Sequence, residues 1–243
     1  MKIIIIIPAR YSSSRFPGKP LADLCGKPMI WWVYNQAKKV KCISDVLVAT
    51  DDERIQEKCD LFNLKCVMTD KNNSSSTERA FEVAKKYPAD LYIVVNGDEP
   101  LIDPRIIESI IPTSLESQEP IVYNLMTKIH DPVQALDPSN IKVVVDSNNN
   151  ALLFTRSLIP YPKSSLDYSF FKHVGVLAYN FKALQFFVET KKGYLELAED
   201  INELRFVENG VKVRMVCVDC NTLSVDTPKD LDYIKSILSG TQR

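Results

Sequence analysis

No stretch of the chain approaches the roughly 20 consecutive apolar residues that a membrane-spanning helix requires. The apolar start consists of five isoleucines, Ile3 to Ile7, and it ends at Pro8 and Arg10. No small-residue cleavage pattern follows this run, so it is not expected to be a secretory signal. We therefore expect a soluble, cytoplasmic protein without a membrane partner.

An excess of charge of either sign is also missing. The chain has 30 Lys and Arg against 31 Asp and Glu, and its formal net charge is -1. A protein with so little net charge has no overall field that would attract nucleic acid or an anionic membrane. Any anion-binding site must therefore be local, and nucleic acid is not an expected partner.

A second C-x-x-C sequence is missing too, which bears on the six cysteines. Cys217 and Cys220 have the spacing of a metal or redox pair, but both histidines are far from them in the sequence. A zinc or redox role is therefore the less favoured alternative to two ordinary strand residues. All the cysteines are predicted to be free, buried thiols in a reducing compartment.

The familiar glycine-rich nucleotide motifs are not present. G-x-G-x-x-G does not occur, and the G-K-P sequences at Gly18 and Gly26 do not fit the Walker pattern. Neither has the required earlier glycine, and neither has a Ser or Thr after the lysine. Classical P-loop and dinucleotide-binding proteins are therefore disfavoured.

The first half of the sequence does contain an alternation of β-branched runs and helical patterns. In chain order these are KIIIII, PMIWWVYNQAKK, SDVLVAT, ERIQEKCDLF, LKCVMT, TERAFEVAKKY and DLYIVVN. Continuous apolar strands joined by helices indicate parallel strands that are buried on both faces. The prediction is an α/β fold with a doubly wound, mostly parallel sheet.

The second half has a different pattern. A helix is predicted over residues 104–118, followed by strands in EPIVYNLMTKI, IKVVVD and ALLFTRS with a turn at DSNNNA. Consecutive strands separated by turn residues indicate antiparallel pairing added to the parallel sheet. No repeat, low-complexity block or convincing linker interrupts the chain, so a single domain is predicted over residues 1–243.

Four polar loops follow predicted strands: PARYSSSRFPGKP, ATDDER, TDKNNSSSTER and NGDEP. Ligands of open parallel sheets bind beyond the carboxyl ends of the strands, so these loops are expected at one edge. The first loop carries Arg10, Arg15 and Lys19 beside three serines, and such cations and hydroxyls bind phosphate oxygens. The alternative is a basic loop that simply faces solvent.

Two aspartates are candidates for a magnesium site. Asp98 follows a clearly buried strand and Gly97, and its carboxylate suits Mg²⁺, which favours oxygen ligands. Asp226 lies between a strand and a helix, so metal binding and helix capping are both open readings. Asp103 is expected to cap the helix that begins near Pro104. Two carboxylates and a basic loop at one sheet edge would, together with Mg²⁺, neutralise a triphosphate.

The remaining candidates have strong structural alternatives. A histidine at a strand start, such as His173, is more often packed or solvated than catalytic, and His130 is taken as structural. Arg156 enters a proline-bearing loop, where a carboxylate clamp and an ordinary ion pair are equally good readings.

Several segments resemble the 3-deoxy-manno-octulosonate (Kdo) cytidylyltransferases, also called CMP-Kdo synthetases. They run in order over essentially the whole chain: IIPARYSSSRFPGKPL, VATDDERI, SSTERAFEVA, NGDEPLI, KVVVDSNNNALLFTRSLIPY, KHVGVLAY, INELRFVENGVKV and VDTPKDL. The resemblance implies a Rossmann-like, GT-A-like nucleotidyltransferase sheet with an inserted β-rich part. Residues 1–118 would mainly bind the nucleotide, and residues 119–210 would mainly bind the acceptor sugar and form a homodimer.

The resemblance also implies a reaction and residue roles. CTP and an acidic 2-keto sugar would give the CMP-sugar and pyrophosphate, with Mg²⁺ as cofactor. Lys19, Arg10 and Asp98 would be catalytic, and Asp98 and Asp226 would hold the metal. The nucleotide would contact Pro8, Ala9, Arg10, Arg15, Lys19, Ser75, Arg79 and Asp98. The acceptor would contact Asn96, Arg156, His173, Asn202 and Glu203.

The chain departs from the family pattern at positions assigned to the acceptor. Asn96 replaces the Gln of Q-G-D-E-P, Leu177 replaces a tyrosine, and Asn202-Glu203 replaces the Glu-Gln pair of L-E-Q-L-R. Buried polar contacts discriminate strongly between hydroxylated acceptors, so such changes can alter which acid fits. The expected acceptor is Kdo or a closely related acid for surface polysaccharide synthesis. The alternatives are a sialic-acid-like sugar, an amino-Kdo or a phosphonate, and a catalytically silent nucleotide-binding homologue.

Overall fold

The computed structural model describes residues 1–12, 16–115, 119–164, 168–220 and 223–241. The strands are β1 (Ile3–Ala9), β2 (Asp23–Leu24), β3 (Lys27–Pro28), β4 (Asp45–Thr50), β5 (Cys66–Met68), β6 (Leu91–Val95), β7 (Val122–Lys128), β8 (Lys142–Val145), β9 (Ala151–Thr155), β10 (Phe171–Tyr179) and β11 (Val213–Val218). The helices are α1 (Met29–Lys38), α2 (Glu53–Leu61), α3 (Ser76–Lys86), α4 (Pro104–Glu108), α5 (Pro132–Leu136), α6 (Phe181–Glu189), α7 (Tyr194–Glu199), α8 (Leu204–Glu208) and α9 (Pro228–Thr241). Within these ranges, no helix combines the length and the apolar character needed to cross a bilayer.

The chain forms two compact units. The first consists of Met1–Glu108 together with Asn221–Arg243, and the second of Ser109–Cys220. The last helix, α9, therefore belongs with the amino-terminal strands although the whole second unit separates them in sequence. The single domain over residues 1–243 stays a prediction, as do the separate roles of residues 1–118 and 119–210.

A parallel sheet with the strand order β6–β1–β4–β5 forms the centre of the first unit. All the isoleucines of β1 and every residue of β6 are buried, so both faces of these strands are covered. Helices α1, α2 and α3 contact these strands. The predicted doubly wound, mostly parallel α/β arrangement is confirmed. The loops after β1, β4, β5 and β6 leave the sheet at the same edge, as expected.

Local sequence signals start the helices of this unit. The Asp52 carboxylate caps α2 and accepts a hydrogen bond from the Arg54 amide at 3.0 Å. Ser75 and Glu78 form a reciprocal capping box at the start of α3. Helix α1 begins after Pro28 rather than with it, because Pro28 has an extended backbone and belongs to the short β2–β3 hairpin.

The last helix packs on this hairpin. Leu231 and Ile234 of α9 share an apolar cluster with Leu24 of β2, Met29 at the start of α1, and Val225. Full burial of such a side chain contributes roughly 1.5–3 kcal/mol. The cluster therefore holds the segment just before α9 firmly within the first unit.

Antiparallel pairing dominates the second unit. Strand β7 pairs with β10, and β8 pairs with both β9 and β10, all antiparallel. The turn between β8 and β9 is stabilised by the Asp146 carboxylate, which accepts hydrogen bonds from the amides of Asn148 and Asn150, both at 2.8 Å. These strands confirm the predicted antiparallel addition. Strand β11 differs, because it pairs with β7 in parallel.

The helix predicted over residues 104–118 is much shorter in the structure, because α4 ends at Glu108. Pro112 explains the early end, since proline lacks an amide proton and disfavours helical backbone in the residue before it. The last predicted residues, 116–118, lie outside the described part of the chain. The predicted cap is confirmed, because Asp103 accepts a hydrogen bond from the Arg105 amide at 2.8 Å.

The prediction of buried thiols is wrong for half of the cysteines. All six are free, but Cys25, Cys42 and Cys217 are exposed and Cys59 alone is buried. Cys25 and Cys42 have positive φ angles of 54° and 61°, which places them in tight turns at the surface. Cys217 lies within β11 and Cys220 follows that strand.

Candidate active site

The loop after β1 is closed by a glycine in the left-handed region. Gly18 has a φ of 71°, and its amide donates to the Tyr11 carbonyl at 2.8 Å. A Cβ at this position would lie 3.2 Å from the Tyr11 ring, so a side chain would crowd this ring and strain the backbone. The Arg54 guanidinium makes a cation–π contact with the same Tyr11 ring, 3.3 Å from the ring centroid. Residues 13–15, which include the predicted phosphate ligand Arg15, lie outside the described residues.

Lys19 is the centre of the site in the first unit. Its Nζ donates to Asp98 Oδ2 at 3.1 Å, to the Val225 carbonyl at 2.9 Å and to Asp226 Oδ1 at 3.5 Å. Three acceptors match the three N–H groups of an ammonium. The Lys19, Asp98 and Asp226 side chains are 17%, 25% and 30% exposed, so a ligand from solvent can reach them. The structure therefore brings together the lysine and both aspartates that the sequence singled out.

Asp226 reaches Lys19 because other residues cap α9. The Thr227 hydroxyl accepts a hydrogen bond from the Asp230 amide at 3.4 Å, and the Asp230 carboxylate accepts from the Thr227 amide at 2.7 Å. This reciprocal pair is a capping box. The alternative reading of Asp226 as the helix cap is therefore wrong. The Val225 amide also donates to the Asp98 carbonyl at 2.8 Å, which joins the two aspartate segments directly.

Gly97 allows the Asp98 segment to pack closely on the end of β1. A Cβ at position 97 would lie 3.2 Å from the Pro8 carbonyl oxygen and 3.6 Å from Ile7 Cγ2. The glycine therefore permits a close approach between two backbone segments of the protein itself. The contact brings the segment that carries Asp98 to Pro8, a predicted nucleotide-binding residue, and Ala9, another one, ends the same strand β1.

Arg79 is buried in the same unit. Its side chain is 0% exposed, its Nη1 donates to the Thr69 hydroxyl, and its Nη2 lies 3.1 Å from Asp51 Oδ2. A buried guanidinium is costly unless it is paired, so Asp51 makes this position tenable. Among the described atoms, Nε and Nη2 have no aligned hydrogen-bond acceptor, so the Asp51 contact is an ion pair without a well-directed hydrogen bond.

Ser75 and Arg10 lie in two neighbouring loops of this edge. The Ser75 hydroxyl accepts a hydrogen bond from the Glu78 amide at 3.1 Å, so helix capping explains this serine without a ligand. Arg10 is exposed, and its Nη1 donates to the Ser74 carbonyl at 3.0 Å, which connects the loop after β1 with the loop before α3.

A cavity of about 530 Å³ lies next to the buried Arg79 pair and is lined by Asp51, Asp52, Glu53, Arg54, Met68, Thr69, Asp70 and Lys71.

The two aspartates suit a magnesium ion that arrives with a phosphate ligand. Mg²⁺ is usually bound by one or two carboxylates and completes its shell with waters and substrate phosphate oxygens. The carboxylates of Asp98 and Asp226 both contact the Lys19 ammonium, so the space between them already holds a positive charge. Across the described ranges there is no group of three or more His, Cys, Asp and Glu side chains that could hold a metal by itself. The donor set therefore fits Mg²⁺ together with a nucleotide.

In the second unit, His173 of β10 is held in one tautomer. Its Nδ1 lies 3.2 Å from Asn124 Oδ1, while the Asn124 amide nitrogen donates to two carbonyls of β10. Because Oδ1 accepts, His173 Nδ1 carries the proton and Nε2 keeps a lone pair. Burial, and then the charges of Lys172 and Arg156, lowers the pKa of His173 to about 4. The imidazole is therefore neutral near pH 7, and Nε2 can accept a hydrogen bond from a hydroxyl.

Arg156, just after β9, is held by backbone carbonyls. Nε donates to the Glu199 carbonyl at 2.8 Å, Nη1 to the Pro138 carbonyl at 3.1 Å and Nη2 to the Asp200 carbonyl at 3.4 Å. Because backbone carbonyls have no net charge, they hold the guanidinium in position and leave its positive charge unpaired by these contacts. Within the described residues, three of its five N–H groups are used, and the remaining two fit the predicted carboxylate clamp.

Lys142 of β8 is a second cation near Arg156. Its side chain is 1% exposed, and its Nζ donates to the Asp137 carbonyl at 3.0 Å. Burial lowers the pKa of Lys142, and the charge of Arg156 lowers it further, whereas Asp137 and Glu199 act in the opposite direction. The second unit therefore combines a fixed guanidinium with a buried amine.

Asn202 and Glu203 follow the segment whose carbonyls hold Arg156. Glu203 is 7% exposed and immediately precedes α8. Burial, with a contribution from the charge of Glu196, raises the pKa of Glu203 to about 7. This carboxyl is therefore partly protonated near neutral pH. Asn96, the remaining residue predicted to bind the acceptor, lies in the first unit directly after β6.

Three residues of these sites were not expected from the sequence: Asp51, Thr69 and Lys142. Asp51 and Thr69 directly follow β4 and β5. The rule that polar residues at the carboxyl ends of parallel strands are candidates would have found both. Lys142 begins a strand that reads as an ordinary β pattern, and no local signal marks it as buried.

Comparisons with known proteins agree with this geometry. A sequence model described as cytidylyltransferase matches residues 4–213. An 8-amino-3,8-dideoxy-manno-octulosonate cytidylyltransferase of Shewanella pealeana is 42% identical over 98% of this chain and 99% of its own. A 3-deoxy-manno-octulosonate cytidylyltransferase of Escherichia coli is 40% identical over 98% of this chain and 96% of its own.

A solved structure gives the same result. The structure of a CMP:2-keto-3-deoxy-manno-octonic acid synthetase complexed with CTP matches with a TM-score of 0.91 and 39% sequence identity, over 99% of this chain and 100% of that chain. The resemblance found in the sequence is confirmed, and so is the nucleotidyltransferase type of the fold. With matches over nearly its full length and a lysine–aspartate site at the expected sheet edge, the chain belongs to the cytidylyltransferase family of nucleotidyltransferases.

Proposed function

We propose that the protein transfers CMP from CTP to Kdo or a closely related acidic sugar and releases pyrophosphate. The observation that carries this proposal is the contact of Lys19 with both Asp98 and Asp226 at the carboxyl edge of a parallel sheet. The names of the Escherichia coli relative and of the CTP-complexed synthetase support this choice of substrates. The product would serve lipopolysaccharide or capsule synthesis. The cytoplasmic location expected from the sequence stays a prediction.

The reaction requires positioning and charge neutralisation. An acceptor hydroxyl attacks the α-phosphorus of CTP, its proton passes to water, and the bond between the α-phosphorus and the pyrophosphate oxygen breaks. The hydroxyl and the phosphate are both electron-rich, and negative charge builds on the departing group. Lys19 and Arg10 supply positive charge at the loop after β1 that offsets this charge. Direct attack needs no covalent intermediate with the protein.

The cofactor of the proposed reaction is Mg²⁺, held by Asp98 and Asp226 together with phosphate oxygens. When bound, the metal supplies positive charge against the triphosphate. The chain's own contribution is to hold the two carboxylates in place. Lys19 contacts both, and the Val225 amide ties the backbone of one segment to the other.

The acceptor acid is proposed to bind to the second unit. The unused N–H groups of Arg156 suit its carboxylate. The His173 Nε2 lone pair suits one of its hydroxyls, because burial and nearby cations keep this imidazole neutral. The same donor set would bind a sialic-acid-like sugar or a phosphonate, so the identity of the acid has to be tested directly.

Pyrophosphate release with a panel of acids and nucleoside triphosphates tests the proposal. CTP with Kdo or its 8-amino relative should give turnover, and UTP should give little. Turnover with UTP and none with CTP would contradict the proposal. Tight CTP binding without turnover on any acid, including sialic-acid-like sugars and phosphonates, would instead identify a catalytically silent nucleotide-binding protein.

Lys19→Ala tests the triphosphate contact. We expect CTP to bind about 10- to 100-fold more weakly, because a charged hydrogen-bond donor is lost and two carboxylates then face the phosphates. Calorimetric titration with CTP measures the change. Lys39→Ala is the control, since this exposed lysine follows the carboxyl end of α1. An unchanged CTP affinity in Lys19→Ala would exclude this lysine from the phosphate site.

We also propose that the protein is a homodimer formed through the second unit. A cavity of about 590 Å³ is lined by Lys128, Ile129, His130, Pro132, Ala135, Leu136, Leu158, Tyr168, Ser169 and Phe170. Leu136, Leu158 and Tyr168 are 69%, 41% and 38% exposed. Exposed apolar side chains grouped in this way are typical of interaction surfaces. A second copy of the chain is the occupant that the family resemblance implies.

A further inference from the structure

The Tyr11 ring connects the loop after β1 with the start of α2. Gly18 of the same loop lies against this ring, since a Cβ added there would be 3.2 Å from two ring atoms. The Arg54 guanidinium carbon lies over the ring, 3.3 Å from the centroid, which is the distance of direct stacking. The ring therefore contacts both a residue of α2 and the residue that directly precedes Lys19.

Arg54 is held in one orientation by the residue that caps its own helix. Nε donates to Asp52 Oδ1 at 2.9 Å and Nη2 donates to Oδ2 at 2.6 Å, while the Arg54 amide donates to Oδ1 at 3.0 Å. The planar fork of a guanidinium matches the two oxygens of a carboxylate, so Asp52 fixes the plane that stacks on the ring. Asp52 also offsets the charge of Arg54. This guanidinium is therefore better suited to hold a ring than to bind a phosphate.

Helix α2 is a firm support for the stacked pair. Ile55 and Cys59 of this helix are both 0% exposed, and the helix contacts β4 and β5. It also contacts the 3₁₀ turn Lys19–Leu21, which directly follows Gly18. Two separate contacts therefore link the loop to α2, one at the Tyr11 ring and one at this turn.

A loop that is already ordered before its ligand arrives binds more tightly, because less conformational entropy is lost on binding. We propose that Arg54 is a positioning residue of the triphosphate site and acts through the Tyr11 ring. By fixing this ring it orients the cations of the loop that are proposed to face the phosphates, Arg10 and Lys19. This inference rests on the proposed binding of CTP by the loop and adds a residue that does not itself touch the nucleotide.

Calorimetric titration with CTP in the presence of Mg²⁺ tests this role. Arg54→Gln removes the stacked cation and should weaken CTP binding by about 3- to 10-fold. Tyr11→Leu removes the ring and should have a similar effect, whereas Tyr11→Phe keeps the ring face and should bind CTP as the wild type does. The double variant Arg54→Gln/Tyr11→Leu should lose no more affinity than either single variant, because both changes break the same contact.

Arg105→Gln is the matched control. Arg105 donates from Nη2 to Oδ2 of the α4 cap Asp103 at 2.6 Å, in the same arrangement as Arg54 with Asp52. Within the described part of the chain, Arg105 stacks on no aromatic ring. Both glutamine variants lose an arginine–cap pair, so urea unfolding should show similar small changes in stability. CTP affinity should fall in Arg54→Gln alone.

The outcomes separate this inference from the proposed function. An unchanged CTP affinity in Arg54→Gln overturns the positioning role and leaves cytidylyl transfer intact. A double variant whose loss is the product of the two single losses also overturns it, since the two residues would then act independently. Arg54→Gln and Tyr11→Phe decide the matter even where Tyr11→Leu folds poorly, because weakened binding in Tyr11→Phe would assign the effect to the hydroxyl. A wild-type protein that does not bind CTP overturns the proposed function and the inference together.

Discussion

Lys19 joins two carboxylates that come from distant parts of the sequence. Asp98 and Asp226 lie 3.1 and 3.5 Å from its Nζ. Two acids around one point would repel each other, so the ammonium between them makes the arrangement stable in the free protein. The side chains remain partly exposed, which keeps the net contribution of these ion pairs to folding small. Ligand binding explains the cluster better than folding stability does.

Asp98→Asn should reduce turnover by about two orders of magnitude, because it removes a charged group from the proposed metal and phosphate site. The free energy of unfolding should change by less than about 1 kcal/mol, since the pair with Lys19 is partly exposed. Pyrophosphate release and urea unfolding measure the two effects. Asp60→Asn, an exposed acid in α2, is the control. Wild-type rates for Asp98→Asn at low Mg²⁺ would exclude this residue as a metal ligand.

His173 should make stability depend on acid pH. Its pKa falls from 6.5 in the unfolded chain to about 4 in the folded protein, so the unfolded chain binds more protons between these values. His173 therefore contributes stability that is fully present above pH 6.5 and is lost as the pH falls to about 4. Replacing His173 with Gln should flatten the pH dependence of the unfolding free energy in this window by up to about 3 kcal/mol.

Urea unfolding at a series of pH values measures this slope. Glu203 acts with the opposite sign in an overlapping window, because its raised pKa gives stability that is lost as pH rises toward 7. The variant must therefore be compared with the wild type at each pH. His130→Gln, at an exposed position, should keep the wild-type slope. Parallel curves for the wild type and His173→Gln would show that this imidazole is not held neutral by the fold.

The loop after β6 depends on a close contact with the end of β1. Gly97 packs its Cα against the Pro8 carbonyl, and the following residue, Asp98, takes its place beside Lys19. Helix α9 contributes from the other side, because its capping box at Thr227 and Asp230 leaves Asp226 available to Lys19. Loop and helix together position the two carboxylates.

Gly97→Ala should therefore reduce both stability and activity. The added Cβ would lie 3.2 Å from a backbone oxygen that cannot move away easily, and such overpacking costs about 1–3 kcal/mol. Gly240→Ala in α9 is the matched control, since no atom lies within 4 Å of the added Cβ and alanine favours a helix by up to about 1 kcal/mol. Urea unfolding and pyrophosphate release compare the two. Equal effects of the substitutions would contradict the packing argument.

Each of the two units holds one set of the predicted site residues. The first unit holds the lysine, both aspartates and the buried Arg79 pair, whereas the second holds Arg156, His173 and Glu203. Each set consists of groups held by backbone contacts or burial within its own unit. The second unit also carries the apolar surface around Leu136, which we propose as the dimer interface.

Leu136→Glu should convert the proposed dimer into a monomer, because a charge would have to be buried in an apolar interface. Light scattering coupled to size-exclusion chromatography measures the mass. Leu197→Glu is the control, since Leu197 is similarly exposed, at 68%, but does not line the cavity. A dimer that persists in Leu136→Glu, or a monomeric wild type, would exclude this surface as the interface.

Local signals in the sequence were sufficient to predict most of the helices and strands and several of the site residues. Apolar runs predicted the parallel strands, and polar residues after these strands marked Lys19 and Asp98. The length of α4 was overestimated, because the pattern was extended through Pro112. The ion pair of Arg79 with Asp51 could not be predicted, since it depends on which loops meet and on how deeply a side chain is buried.

By itself the sequence determined the alternation of strands and helices, the family, and the candidate acids and bases, because all of these depend on local order of residues. Only the tertiary structure decided that Asp226 is a partner of Lys19 rather than a helix cap. That contact joins residues 207 positions apart and depends on the packing of α9 against the β2–β3 hairpin. The structure alone also showed that Glu203 is buried beside another acid, because burial is a property of the packed chain and not of any local pattern.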